Sequence, residues 1–199
     1  MVRPDRDDLY GTVEVDETYI GGERSGKRGR GAENKTLVVI AVEDKSRKED
    51  KDSKGIGRIR LKRIPDASSE SLIDFISTHV SPGSRIRTDG WSGYEPLSNA
   101  GYDHTVVGPK DLNIAHLVAS LLKRWLLGTY QGAVKPTQLD NYLDEYTFRF
   151  NRRTSASRGK LFYRLVQQAV VTKPILGRDI VGGNSQPKHG SREIHGVPG

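Results

Sequence analysis

The order in which the apolar residues change period is what most constrains this chain. Thr12–Ile20 (TVEVDETYI) alternates as a strand does, Thr36–Val42 (TLVVIAV) is a continuous β-branched run, and Gly57–Ile64 (GRIRLKRI) alternates again. Three successive strands make an antiparallel meander. Asp66–Val80 then takes helical spacing, with Ser68 or Ser69 as cap, Leu72, Ile73 and Ile76 as the apolar stripe, and Pro82 and Gly83 as the stop. Arg85–Thr88 reads as a short strand ending at Asp89, followed by the turn-rich GWSGY and by one more strand at Asp103–Val107. The last third is helical. His116–Leu127 is apolar around most of its circumference and is expected to end at Gly128; a second helix starts near Pro136, with Leu139, Tyr142, Leu143, Tyr146 and Phe150 as its core stripe. This order predicts a mixed α/β sheet flanked by helices. Residues 1–10 are a lead-in, 11–170 one domain, and 171–199, rich in Gly and Pro without periodicity, a disordered tail.

The chain has no cysteine, which excludes disulfides, a thiol nucleophile and a zinc ribbon; a metal site must use Asp, Glu, His or Asn. No apolar run approaches the roughly 18 residues that span a bilayer, and the opening MVRPDRDDLY carries charges where a signal peptide is apolar. No membrane role and a cytoplasmic location are expected. A net charge of +7 favours a polyanionic partner. The excess lies in Gly21–Lys35 and in Arg149–Arg164, whereas Glu43–Lys54 is mixed in sign and reads as a solvated loop without a binding role.

The chemistry rests on isolated acids in apolar settings. Asp16 sits in the middle of a strand, where β-propensity disfavours it and burial of a bare carboxylate costs several kcal/mol. Alternation puts Glu14 and Asp16 on one face and Glu17 on the other. Asp89 stands at the carboxyl end of its strand, where ligands gather in open α/β sheets. Two carboxylates on neighbouring strands suit a hard divalent ion. The spacing leaves two plainer roles open, a salt bridge for Asp16 and an Asp-Gly turn for Asp89.

Four blocks make the sequence recognisable: VEVDETYIGG (Val13–Gly22), RTDGWSGY (Arg87–Tyr94), SLLKRWLLGTYQGAV (Ser120–Val134) and YLDEYTFRFNRR (Tyr142–Arg153). In this order they closely resemble the ISXO2-like transposase domain of the IS1595 insertion-sequence family, over about Gly11–Ala169. The resemblance implies a ribonuclease H-like sheet, a three-stranded antiparallel meander plus parallel strands, and DNA cleavage and strand transfer with two metal ions, Mg²⁺ or Mn²⁺. It implies catalytic and metal-binding roles for Asp16 and Asp89, which match the family's first two acids. It also implies double-stranded DNA as partner (terminal inverted repeats and target), a homo-oligomer when active, and a bacterial, nucleoid-associated setting.

For the third ligand, anchoring on SLLKRW puts His116 seven residues before Lys123, where related members have Glu or Asn followed by Lys. Seven helical residues return to within about 20° of the starting direction, so His116 and Lys123 share a face. His116 is thus the expected third catalytic and metal ligand, with Asn113 as alternative, and Lys123 the cation facing the phosphate. An imidazole adds no negative charge and suits Mg²⁺ less well than Mn²⁺. The resemblance also assigns DNA contacts to Arg24, Lys27, Arg28 and Arg30 in the glycine-rich loop, to Lys123 and Arg124, and to Arg149, Arg152, Arg153 and Arg158. Trp91 and Trp125 are expected in the core rather than against bases. The competing reading is a truncated remnant that binds DNA or a partner without catalysis, because family members usually carry a zinc-binding segment before the catalytic domain and the interval from Asp89 to His116 is short.

Overall fold

A computed structural model describes residues 7–21, 35–46, 55–131, 134 and 136–171. Five strands, β1 (Thr12–Ile20), β2 (Thr36–Asp44), β3 (Ile56–Ile64), β4 (Arg85–Thr88) and β5 (Asp103–Val106), form one sheet in the order β3-β2-β1-β4-β5. The meander is antiparallel, and β4 and β5 add in parallel. This is the mixed ribonuclease H-like sheet that the four sequence blocks imply. Among the described residues four α-helices accompany it: α1 (Ser69–His79), α2 (Asn113–Tyr130), α3 (Pro136–Phe150) and α4 (Arg158–Val171).

The continuous apolar run of β2 is explained by what covers it. Leu37, Val39 and Ala41 pack with Leu72, Phe75 and Ile76 of α1, while Val38, Ile40 and Val42 pack with Val118 and Leu122 of α2 and Leu139 and Leu143 of α3. A central strand buried on both faces has no polar side. β1 is half such a strand: Val13 and Val15 enter the α1 layer, and Glu14 and Asp16 point to the other face, towards α2.

Several details depart from the sequence expectations. The helix expected to stop at Gly128 begins at Asn113 and runs through to Tyr130, because Gln131 takes the left-handed terminal conformation at φ 52°. The turn-rich segment after Asp89 winds into a 3-10 helix over Ser92–Ala100. Glu43 is not in a solvated loop. It lies near the end of β2 fully buried, accepting hydrogen bonds from the backbone N–H groups of Tyr10 and Arg58 and from the Arg58 guanidinium at 2.6 Å. Burial works against its charge, yet these donors hold its carboxyl below the usual range. α4 is a further helix beyond the two expected in the last third; Phe162, Tyr163, Val166 and Val170 follow a helical spacing along it but are exposed. The stretches 22–34, 47–54 and 172–199, with the glycine-rich basic loop and the expected tail, lie outside the described residues.

On the far side of the sheet, α3 lies against β3, with Arg63 of the strand paired to Asp140 of the helix at 2.8 Å. Just past α3, the Asn151 carboxamide accepts from the Ile59 N–H at 2.7 Å and donates to the Ile59 carbonyl at 3.1 Å. Arg153 donates to the Phe150, Gly57 and Ile56 carbonyls, its guanidinium 4.1 Å from the centre of the Phe150 ring.

Two glycines test this packing in opposite directions. A Cβ on Gly57 would come within 2.6 Å of the Glu43 Cβ and 2.8 Å of its carboxylate, whereas one on Gly128 would meet nothing within 4 Å. Gly57→Ala should therefore destabilise the fold by about 1–3 kcal/mol through overpacking against the Glu43–Arg58 pair. Gly128→Ala should stabilise it by about 0.5–1 kcal/mol, since Ala is the better residue inside a helix. Urea unfolding of the two variants checks both signs.

Candidate active site

The site begins where β1 and β4 part. Their parallel pairing covers Thr12–Glu14 against Arg85–Arg87, and counting on from Glu14 opposite Arg87 brings Asp16 level with Asp89, one residue past the end of β4. Asp16 is mostly buried. Its Oδ2 lies 3.2 Å from Nε2 of His116, which projects from the first turn of α2 and is half exposed. The carboxyl of Asp16 is pushed above the ordinary range, foremost by burial and further by the charge of Asp89; the backbone N–H of Glu17, His116 and Lys123 act the other way. Asp89, His116 and Lys123 are thus all close enough to act on the charge of Asp16. The Asp89 carboxylate also accepts the Trp91 N–H at 3.1 Å, a contact of the turn kind that its sequence left open.

What brings α2 to this place is a residue outside the expected set. The helix's cap position is Leu112, which offers no side-chain oxygen, so the first-turn N–H groups need partners from elsewhere. Glu14 supplies them. Its Oε2 accepts from the N–H groups of Ile114 at 3.0 Å and Ala115 at 2.9 Å, and its Oε1 meets the Arg87 guanidinium at 3.1 Å. Arg87 also reaches Asp44 and the Asp111 carbonyl. Glu14 is 1% exposed, and burial raises its carboxyl above the usual range despite these donors and the nearby guanidinium. The sequence holds a signal for it: an acid two residues before Asp16 on the same face, and a helix start without a capping residue.

On the opposite face of β1, the Glu17 carboxylate accepts the hydroxyl of Tyr94, which is fully buried in the α1 layer. Burial raises Glu17, with Asp16 and Asp89 adding to the effect. Three carboxylates therefore share one neighbourhood, with Asp16 turned towards α2 and Glu17 towards the α1 layer. Two hard oxygen donors with a surplus of negative charge are the donor chemistry a divalent cation fits. Among the described residues no three of His, Asp and Glu are gathered closely enough to ligate one ion as they stand.

The other expected site residues divide. Lys123 and Arg124 are exposed on α2. Arg149 pairs with Glu145 at 3.1 Å, Arg152 stacks over Phe148 at 4.0 Å, and Arg153 is occupied by backbone carbonyls of β3, two strands away from Asp16. Arg158 opens α4, and Arg24, Lys27, Arg28 and Arg30 lie outside the described residues. Asn113, the alternative third ligand, is the exposed first residue of α2. His104 belongs to β5, its Nε2 2.9 Å from the Thr88 hydroxyl. Trp125 packs with Tyr130 and Tyr146 as expected, but Trp91 is not in the core: 49% of it is exposed.

Strand order and helices on both faces of the sheet define a ribonuclease H-like α/β domain. The chain belongs to the ISXO2-like transposase domain family, whose profile matches residues 8–151. It is therefore a transposase-type domain, of the polynucleotidyl-transferase kind. Among solved structures it is similar to the catalytic core domain of BIV integrase, at 15% identity and a TM-score of 0.48, over 82% of this chain and 100% of that one. No curated protein matches the sequence. No described helix is long and apolar enough to cross a membrane.

The Glu14 contact makes a measurable demand. Glu14→Ala would leave the Ile114 and Ala115 N–H groups without their acceptor and Arg87 with only Asp44 and the Asp111 carbonyl, and should cost about 2–4 kcal/mol. Glu14→Gln keeps an acceptor for the helix and loses only the charge, so it should cost less. Thermal melts of both variants check the order; equal losses would mean that the helix start does not depend on the carboxylate.

Proposed function

We propose that this domain cleaves DNA and joins strands at insertion-sequence ends by metal-dependent phosphoryl transfer. The observation that carries the reading is the setting of Asp16, a largely buried carboxylate that the strand register brings level with Asp89 and that lies 3.2 Å from His116. Asp16 and Asp89 would hold Mg²⁺ or Mn²⁺, with His116 as third ligand, and two such ions supply Lewis-acid activation of the attacking and leaving oxygens.

The chain's own groups do the rest. Asp16 and Asp89 fix where the scissile phosphate can sit. Lys123, two turns along α2 from His116, offsets the charge of that phosphate, and Arg124 beside it grips the adjoining backbone. Glu14 keeps α2 from swinging away from β1, so that His116 and Lys123 approach from a fixed side. Double-stranded DNA is the partner, and the active form is an oligomer of this chain.

A second reading, a remnant that binds DNA without cutting it, draws support from His116, which brings no negative charge and already bonds Asp16. Nicking of supercoiled DNA separates the two. Asp16→Asn and Asp89→Asn should each lower Mg²⁺- or Mn²⁺-dependent nicking by more than about 100-fold, since even outer-shell partners of metal ligands are worth 10–100-fold. In Mg²⁺, His116→Ala should lower it as well, more than the same change at His104, and His116→Glu should keep or raise it. Nicking that survives both Asp substitutions would sink the catalytic reading; binding without any nicking by the unaltered chain would favour the remnant.

Salt dependence tests the DNA-facing side of α2. Lys123→Ala with Arg124→Ala should reduce the slope of log affinity against log salt by roughly 0.9 for each phosphate no longer neutralised, with little change in sequence preference. An unchanged slope would take these residues off the DNA.

A further inference from the structure

Trp91 is exposed, yet it is held. Its backbone N–H donates to the Asp89 carboxylate at 3.1 Å, and its indole Nε1 donates to the Ala67 carbonyl at 2.8 Å. The ring is seated over Gly93, where a Cβ would come within 2.7 Å of Nε1. About half of the residue nevertheless faces solvent. A single exposed aromatic needs no explanation on a protein surface. One fixed at both ends, next to an acid of the candidate site, has little rotamer freedom left to lose on contact with a flat partner, and that lowers the cost of binding.

The distance along the chain decides what such a partner is. Two residues span at most about 7 Å from Cα to Cα, so the backbone that carries the ring stays within roughly two nucleotides of Asp89, given the 3.4 Å rise per nucleotide of a DNA strand. Resting on the proposed action on DNA, we infer that Trp91 is a stacking platform for an unpaired nucleobase beside the scissile phosphate. A base inside a duplex has both faces covered; one at a frayed or unpaired strand end offers a free face. The indole would hold that end in register with Asp16 and Asp89, and because its backbone is tied to the Asp89 carboxylate, the platform and the acid keep a fixed relation.

The chain has two tryptophans, so Trp125→Phe leaves Trp91 as the sole indole reporter. Short duplexes with one unpaired 3′ end, and the same duplexes fully paired, are titrated into this variant while anisotropy of a label on the DNA follows binding. Quenching of Trp91 by the unpaired-end DNA is expected. In the otherwise unaltered chain, Trp91→Ala should weaken binding of that DNA by about 5- to 100-fold, the stacking range for one base. Trp91→Phe should retain most of the affinity although it lacks Nε1, and an abasic residue at the stacking position should abolish the difference between Trp91 and Ala. Binding seen by anisotropy without any change in Trp91 fluorescence would overturn the inference and leave the proposed function standing; so would an Ala effect that persists on abasic DNA. Absence of DNA binding altogether would bring down both.

Discussion

The start of the helix that carries half of the candidate site is tied to the sheet through one buried carboxylate. Glu14 rises from the first strand and takes the place of the missing cap on α2, accepting two main-chain N–H groups at the positive end of the helix dipole while Arg87 meets its other oxygen. A buried charge is costly alone, and it is tolerable here because both carboxylate oxygens have donors. The rest of the site follows from that contact. With Ile114 and Ala115 fixed to β1, His116 falls beside Asp16, two residues further along the same strand face, and Lys123 follows two helical turns later.

The period of two in β1 also keeps unlike chemistries apart on adjacent residues. Asp16 looks towards α2, and Glu17 looks into the α1 layer, where the Tyr94 hydroxyl satisfies it. Both acids are raised by burial and by their neighbours. Pulling the two side chains to opposite faces lets three carboxylates sit in one region without all competing for one ligand position.

How much of this is legible in the sequence depends on whether the cause is local. β1 and β4 can be read to their ends because alternation and flanking turns are properties of neighbouring residues. Asp16 stands out for the same reason, as a carboxylate in a strand. Glu14 looks equally odd, but its partners Ile114 and Ala115 lie a hundred residues away, so its task cannot be read from the strand alone. Gly128 misleads because helix C-termini often carry glycine, whereas this helix ends on Gln131. Glu43 reads as loop because it opens a charged run; burial against Tyr10 and Arg58 is a tertiary fact. Trp91 reads as core on hydrophobicity, and the Ala67 carbonyl holds it at the surface instead.

The Asn151 carboxamide, facing Ile59 with one acceptor and one donor, imitates the main chain of a sixth strand. β3 is the outer strand of the meander, and its unpaired N–H and C=O groups are the kind of template on which another copy's strand could add. Asn151 fills the position at Ile59, and Arg153 takes the carbonyls at Ile56 and Gly57. The side of the sheet farthest from β5 is thereby closed to strand addition at these residues, and any strand added at this border would first have to displace the end of α3.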